Sequence, residues 1–201
     1  QQLTTGKSTG PDGVPNEVLR MLPPSLLESI HLLFQTMWAT GTTPSAWKHS
    51  HTCLLFKNKG TELDLAFYRP IGLANTLYKA WTRLVTLALS DYAETHGILS
   101  ETQAGFRPLR STTSQLELAV MALEDARLHC QDIYALMVDF TSAFNTTDHD
   151  TMLMFLYDLG FPTDAIEVVK DLYTGATTSV LLPHGPTAPI PIGRGTVQGD
   201  T

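Results

Sequence analysis

The chain has 201 residues, of which 43% are hydrophobic, and its mean hydropathy is −0.01. This composition fits a globular domain with a real core and excludes a disordered chain. No apolar run reaches the roughly 18 residues of a membrane-spanning helix, and the start lacks a signal-peptide pattern, so an intracellular location, cytoplasm or nucleus, is expected. The two cysteines, Cys53 and Cys130, lack CxxC spacing, which argues against a disulfide framework, and both are expected in or near the core.

The charge distribution is uneven. The formal net charge of −7 does not resemble that of a nucleic-acid binder, because phosphate contacts need Lys and Arg. Residues 1–110 contain ten Lys/Arg and eight Asp/Glu, whereas residues 111–201 contain three and twelve. A basic half joined to an acidic half could bind a polyanion at one end and divalent cations at the other. Composition alone favours the simpler alternative, in which the acidic half consists of solvated helix faces.

The sequence of the first half predicts two helices followed by a strand and an extended segment. A Gly- and Pro-rich loop leads into a short helix, and an amphipathic helix then runs from "PP" to about Gly41, with Ser25 and Glu28 in a capping-box pattern. A strand is predicted over residues 50–56, ending at the basic turn "KNKG". The segment "FYRPIGLAN" is expected to be extended, because a residue before proline avoids the helical region.

The second half predicts further helices, one buried strand and a hairpin. Asn75 is expected to cap a long helix that closes at Gly97, and a polar loop separates it from a helix over residues 113–128. "DIYALMVDF", residues 132–140, is a continuous apolar run typical of a central strand buried on both faces. Helices over residues 148–159 and 163–173 and a Pro- and Gly-rich hairpin are predicted after it.

Asp139 ends this predicted strand. A carboxylate there is costly unless it is exposed, paired or bound to a cation. It can be the N-cap of a helix in "TSAFN", or a ligand of a hard cation such as Mg²⁺, and the segment alone does not separate the two. Phe144 is usually a core residue in such a position; if it faces a ligand pocket instead, its ring limits what fits there.

Two basic segments are candidates for phosphate contacts. Lys57, Lys59 and Arg69 surround a turn that is solvated surface in most proteins, although over a cleft an Arg fork and a Lys charge would suit a triphosphate. In "QAGFRPLRST", Arg107 and Arg110 accompany Gln103 and Phe106, which fits contact with a nucleic-acid backbone.

Three further patterns are weaker signals. The glycines of "GRGTVQGD" permit close backbone approach to a ligand, but a plain turn is the simpler interpretation. "HSHTC" places two histidines and a cysteine on one strand face, without an obvious fourth zinc ligand. Asp148 and Asp150 could join Asp139 in a Mg²⁺-dependent phosphohydrolase, although a predicted helix makes an exposed face the simpler alternative.

The order of the motifs is more specific than any one of them. "GPDGVPNEVL", "LFKNKG", "YRPIGL", "QAGFRPLRST", "VDFTSAFNTTDH" and "GTVQGD" follow one another over nearly the whole chain. In this order they resemble the reverse transcriptase domain of non-LTR (LINE-type) retrotransposons. The resemblance implies an α+β, right-hand polymerase fold, with fingers over residues 1–130 and a partial palm over residues 131–201, together one incomplete domain.

The resemblance also implies a reaction: nucleotidyl transfer from a dNTP to the 3′ end of a DNA primer, directed by an RNA template and assisted by two Mg²⁺ ions. Asp139 matches the first catalytic aspartate, a ligand of both ions, together with the carbonyl of Phe140. Phe144 matches the bulky residue that excludes a ribonucleotide 2′-OH.

Other positions match binding residues of the family. The incoming triphosphate is expected at Lys57 and Arg69, with Lys59 a weaker candidate. Gln198 and Gly199 match a motif that lies against the nucleotide and template. The template-contacting loop is expected to include Gln103, Arg107 and Arg110.

The sequence departs from the family pattern in two ways. Asn145 stands where the family commonly has aspartate. A "YADD"-like element with the remaining catalytic aspartates would lie beyond Thr201, so the 201-residue chain by itself is expected to have no polymerase activity. The alternative is a non-catalytic, decayed or repurposed nucleic-acid-binding module; an open reading frame that continues into "YADD" would favour the enzyme.

Overall fold

The computed structural model of the protein describes residues 5–196, and these residues form two compact units. One unit joins the stretch up to Leu89 to the stretch from Ser142 onward, and the other is Ser90–Thr141. The expected boundary between fingers and palm at residue 130 is a functional division, and it stays a prediction. No helix within residues 5–196 is both long and apolar enough to cross a bilayer.

Helices and strands follow one another in blocks along the described residues, and together they make a mixed fold of helices and one sheet. The helices are α1 (Asn16–Arg20), α2 (Pro24–Thr40), α3 (Thr76–Thr95), α4 (Thr112–Leu128), α5 (Ala143–Thr146), α6 (His149–Asp158) and α7 (Thr163–Tyr173). The strands are β1 (His49–Phe56), β2 (Tyr68–Leu73), β3 (Thr177–Leu182), β4 (Gly185–Pro186) and β5 (Ile190–Pro191).

Strand β1 lies between two partners in the sheet of the first unit. It pairs antiparallel with β2, where Leu55 lies opposite Arg69, and parallel with β3, where Ser50 lies opposite Thr178. The outer side of β3 pairs with β4 and β5. Because a parallel pair needs a long crossover, the sheet brings residues from the two ends of the chain together.

Three helices of the first unit bury the main core. Trp81 lies at its centre, with ring centroids 5.4 Å from Phe34 and 6.2 Å from Trp38. Apolar side chains at helical spacing on α2, α3 and α7 supply the rest, because that spacing puts them on one face. The buried members are Phe34, Met37, Trp81, Val85, Val168, Val169 and Leu172.

Several predicted elements are confirmed. Helix α7 has the predicted bounds, α6 differs from its prediction by one residue at each end, and β1 begins one residue earlier than expected. Helix α2 ends at Gly41, which is left-handed at φ 61°. The capping box of Ser25 and Glu28 is wrong, because Pro23 is the N-cap and Pro24 occupies the first turn, where its missing N–H costs nothing.

The predicted central strand is also wrong. Residues 131–140 adopt no regular secondary structure and are exposed, with Tyr134 at 93%, Met137 at 91% and Phe140 at 76%. A strand needs a neighbour to satisfy its backbone N–H and C=O groups. Among the described residues no strand pairs with this segment. Apolar character alone therefore did not produce a strand here.

Both cysteine thiols are exposed, which corrects their expected place in the core. Cys53 lies on the same face of β1 as Leu55, which is also exposed. The position of Cys53 follows from strand alternation, because Ser50 and Thr52 occupy the other face.

Candidate nucleotide and template site

Asp139 and Phe140 lie in the exposed segment of the second unit. Asp139 is not the N-cap of the following helix, because Ser142 holds that position before α5. Within residues 5–196 no group of three or more His, Cys, Asp or Glu side chains is placed to hold a metal ion. A carboxylate and a carbonyl are oxygen donors that suit Mg²⁺, but two donors are too few to form a site by themselves.

Phe144 is half-exposed, at 51%, so it is not a core residue. It lies on α5, and the residues around it meet a segment from much later in the sequence. The N–H of Thr196 donates to the Phe144 carbonyl at 2.8 Å, and the N–H of Gly195 donates to the Thr147 carbonyl at 2.7 Å. We call residues 144–149 together with residues 194–196 the 144–196 junction.

Gly195 is required at this junction for two reasons. Its φ of +80° lies in the left-handed region, which residues with a side chain rarely adopt. In addition, a Cβ on Gly195 would lie 2.7–2.9 Å from backbone atoms of Asn145. The second glycine of "GRGTVQGD" therefore permits a close approach to the backbone of Asn145, whereas the approach of this segment to a ligand stays a prediction.

A small polar pocket lies between the sheet and the junction. Its volume is about 110 Å³, and four of its eight lining residues carry a hydroxyl, with the Thr52 and Thr178 Oγ1 atoms 2.7 Å apart. Among residues 5–196 no charged side chain lines it, and Asn145 contributes a neutral amide. The lining residues are Ser50, Thr52, Pro70, Gly72, Asn145, Thr178, Ile192 and Thr196.

Lys57 and Arg69 lie on one face of the β1–β2 hairpin. Arg69 is opposite Leu55, and Lys57 follows Leu55 by two positions, with its N–H donating to the Phe67 carbonyl at 2.8 Å. Alternation along the strands therefore puts the two cations diagonally across from each other. Both are exposed, and the Lys57 Nζ donates to the Ala66 carbonyl at 2.9 Å.

This cationic face is opposite the face that lines the pocket. Pro70 and Gly72 alternate with Arg69 along β2, so they point to the other side of the sheet, where Asn145 lies. The structure thus brings Lys57 and Arg69 together but does not place them on the Asn145 face. Lys59 is exposed in the turn beyond β1.

Arg107 is turned into its own loop. Its guanidinium forms a two-pronged ion pair with the Glu94 carboxylate, both contacts at 2.8 Å, and its Nη1 donates to the carbonyls of Ser100 at 2.7 Å and Gln103 at 3.0 Å. These hydrogen bonds hold the pKa of Glu94 below its usual value and raise the pKa of Arg107. Arg107 therefore fixes the shape of the loop.

The outward-facing groups of this loop are different ones. Arg110 is partly exposed and pairs with Glu101 at 2.6 Å, and Gln103 donates to the Gly105 carbonyl at 3.3 Å. Phe106 is 94% exposed. An Arg, an amide and an aromatic ring that face solvent are the types of group that contact single-stranded nucleic acid.

The structure does not support a zinc site at "HSHTC" or a metal site that includes Asp148. The Nδ1 of His49 lies 2.9 Å from the Thr177 hydroxyl, and burial, with a smaller effect of His51, lowers the pKa of His49. Asp148 is the N-cap of α6, and its carboxylate accepts a hydrogen bond from the Thr151 N–H at 3.0 Å. Both groups thus have structural partners. Gln198 and Gly199 lie outside the described residues, so their predicted role stays a prediction.

Sequence reasoning missed His149. Its Nε2 lies 2.8 Å from the Gly195 carbonyl, and its ring packs on Tyr173 with centroids 4.5 Å apart. A single histidine after a helix cap has no distinctive pattern, and its partner is 46 residues later in the sequence. Only the fold could reveal this contact.

Comparisons with known proteins agree with this arrangement of motifs. A family profile described as "Reverse transcriptase (RNA-dependent DNA polymerase)" matches residues 56–201. The RNA-directed DNA polymerase from mobile element jockey of Drosophila melanogaster is 28% identical over 198 residues, which are 98% of this chain and 22% of that protein. The probable RNA-directed DNA polymerase from transposon BS of the same species is 28% identical over 202 residues, 99% of this chain and 22% of the relative.

A third relative comes from a different element. The retrovirus-related Pol polyprotein from type-1 retrotransposable element R2 of Nasonia vitripennis is 24% identical over 193 residues, 96% of this chain and 18% of that protein. The chain spans about a fifth of the length of these curated relatives. With the profile covering well over half of its residues, the chain belongs to the reverse transcriptase family, among those of non-LTR (LINE-type) retrotransposons.

Proposed function

We propose that this chain is part of an RNA-directed DNA polymerase of a LINE-type retrotransposon, with an RNA template, a DNA primer and dNTPs as its partners, acting inside the cell. The observation that carries the proposal is the hydrogen bond from the Thr196 N–H to the Phe144 carbonyl, 2.8 Å long. Two segments that match nucleotide-contacting motifs of the family, far apart in sequence, lie side by side.

The deoxynucleotide is proposed to bind beside this junction. The support is that Phe144 is half-exposed and that Gln198 and Gly199 follow Thr196 by two and three positions in the sequence. Asn145 is neutral, which avoids a repulsive charge near the phosphates.

The triphosphate is proposed to bind at Lys57 and Arg69. Their support is the shared face, the exposure of both side chains and the preference of an Arg fork for phosphate oxygens. Strand β2 is unpaired on its outer side within the described sheet, so a ligand can contact both faces around that edge. Gln103 and Arg110 are proposed to contact the template, while Arg107 holds their loop.

Two Mg²⁺ ions are proposed for the complete enzyme, where they would supply charge neutralisation at the transferred phosphate. Asp139 and the Phe140 carbonyl would give them two oxygen ligands. These donors fit Mg²⁺ in type but not in number, and the described residues add no others in a cluster. We therefore propose that the 201-residue chain by itself is inactive.

Primer extension tests this inactivity. The chain is incubated with poly(A)–oligo(dT), dTTP and Mg²⁺, and no extended primer is expected, because one carboxylate cannot fix two ions. Mg²⁺-dependent synthesis that Asp139→Ala abolishes would overturn the claim.

The rival function is a nucleic-acid-binding module without a nucleotide site. It also predicts an inactive chain, so primer extension does not separate the two. Equilibrium binding separates the two functions, because the polymerase fragment binds dTTP as well as RNA, whereas the module binds RNA alone. The exposed Arg110 and Phe106 are available in both cases.

A further inference from the structure

His149 links the start of α6 to Gly195. It is the first residue of the helix, directly after the cap Asp148, so its backbone is fixed. A carbonyl oxygen can only accept, so the proton of the neutral ring is on Nε2, which donates to the Gly195 carbonyl at 2.8 Å. The ring also contacts that of Tyr173, a residue of the core helix α7, at an interplanar angle of 37°, and this contact limits its rotation.

The hydrogen bond from His149 completes a short series of backbone contacts. Gly195 accepts from His149 and donates to the Thr147 carbonyl, and the next residue, Thr196, donates to the Phe144 carbonyl. Arg194 adds a weak ion pair with Asp148 at 3.9 Å. The backbone at 195–196 is thus fixed by hydrogen bonds on either side of the peptide group.

We propose that His149 is a positioning residue for the deoxynucleotide site, acting through Gly195. The inference rests on the proposed function, because it takes Phe144 and Gln198 as nucleotide contacts. The Gly195 carbonyl and the Thr196 N–H belong to one peptide group, so loss of the His149 hydrogen bond allows Thr196 to shift. The same shift removes the partner of the Phe144 carbonyl.

Selectivity between deoxyribose and ribose is the property most sensitive to such a shift. Exclusion of a 2′-OH depends on the position of the Phe144 ring, and small displacements of such a positioned group have large effects on selectivity. His149 itself is separated from the proposed contacts by Gly195 and Thr196, so it is not assigned any direct contact with the nucleotide.

The test uses the full 201-residue chain and three variants. His149→Ala removes the donor, and His149→Gln keeps an N–H donor that can reach the Gly195 carbonyl. His184→Ala, at an exposed turn after β3, is the matched histidine control. For each folded protein, amide hydrogen exchange at Gly195 and Thr196 and the equilibrium affinities for dTTP and UTP are measured.

We expect His149→Ala to speed exchange at Gly195 and Thr196 about fivefold, as for the loss of one neutral hydrogen bond, and to lower the dTTP-to-UTP affinity ratio by a similar factor. His149→Gln should restore most of the slow exchange and most of the affinity ratio, and His184→Ala should match the wild type in both measurements. Exchange at Leu172 in the core should not change, which distinguishes a local effect from unfolding. If His149→Ala does not fold, His149→Phe, which keeps a ring but lacks the donor, replaces it with the same expected results.

Two results would overturn the proposal. Unchanged exchange at Gly195 and Thr196 in folded His149→Ala would show that His149 does not hold the junction. Faster exchange with an unchanged affinity ratio would show that the junction does not position the nucleotide. Failure of the proposed function gives a different result, because the wild-type chain would then bind neither nucleotide. The positioning role of His149 would also be wrong in that case, whatever the exchange data show.

Discussion

The motif "ALMVDFTSAFN" divides between two regions with opposite properties. Up to Thr141 it belongs to an exposed segment without regular structure, whereas from Phe144 it belongs to the 144–196 junction, where the Phe144 carbonyl accepts a hydrogen bond from the Thr196 N–H. The second region finds its partners within the described chain. The first is largely apolar, but no strand among the described residues pairs with it. Backbone hydrogen bonds, more than hydrophobicity, distinguish the two parts of the motif.

The largest effect is expected for Gly195→Ala, which would break the junction. The added Cβ requires a left-handed alanine and meets the Asn145 backbone at 2.7–2.9 Å, so we expect a loss of about 2–4 kcal/mol in the free energy of unfolding. Gly175→Ala is the control: Gly175 is also left-handed, at φ +72°, but its Cβ would meet nothing within 4 Å. Urea denaturation measures both. Equal losses would show that the close approach at Gly195 is not real.

The second prediction concerns the cationic face. The double change Lys57→Ala, Arg69→Ala should weaken dTTP binding by about tenfold or more, because it removes both charges proposed for the triphosphate. Lys170→Ala, an exposed cation on α7, should leave the affinity unchanged. Isothermal titration calorimetry gives the affinities. A double variant that binds dTTP as the wild type does would exclude Lys57 and Arg69 as the triphosphate site.

The third prediction is a pH dependence at the start of α6. The hydrogen bonds from Thr151, with smaller effects of Arg194 and His149, lower the pKa of Asp148 in the folded chain. A lowered pKa gives stability that is present above the unfolded value of about 4 and is lost as the pH falls through the folded pKa. Asp148→Ala should therefore be less stable than the wild type at pH 7, and the difference should shrink below about pH 4.

Urea midpoints at pH 7, 5 and 3 test this dependence, with Asp158→Ala at the exposed end of α6 as the control for lost charge. A difference between wild type and Asp148→Ala that stays constant down to pH 3 would contradict the assigned cap.

The smallest effect is expected in the exposed segment. Met137→Ser should change the free energy of unfolding by less than about 0.5 kcal/mol, because the side chain is 91% exposed. Leu172→Ala, a buried core residue on α7, should cost about 2–5 kcal/mol in the same measurement. A large loss of stability for Met137→Ser would show that residues 131–140 are packed rather than exposed. The two parts of the motif would then not differ in exposure.

The sequence predicted most elements whose signal is local. Helices α6 and α7 followed from apolar spacing and flanking turn residues, and β1 from a β-rich run before "KNKG". The strand at residues 132–140 failed because pairing depends on a partner strand, which no local pattern supplies. The inward direction of Arg107 and the contact of His149 with Gly195 depend on residues that meet only after folding. The family assignment was predictable because it rests on the order of several motifs.

The affinities of the folded chain for dTTP and UTP test the central claim, that Phe144 at the 144–196 junction forms part of a deoxynucleotide site. The wild type should bind dTTP about tenfold more tightly than UTP, and Phe144→Ala should bring the two affinities to within about a factor of two, because the ring that excludes the 2′-OH is gone. Phe106→Ala, which changes a phenylalanine that is 94% exposed, should keep the wild-type ratio. The same ratio in wild type and Phe144→Ala, or no binding of either nucleotide by the wild type, would contradict the account.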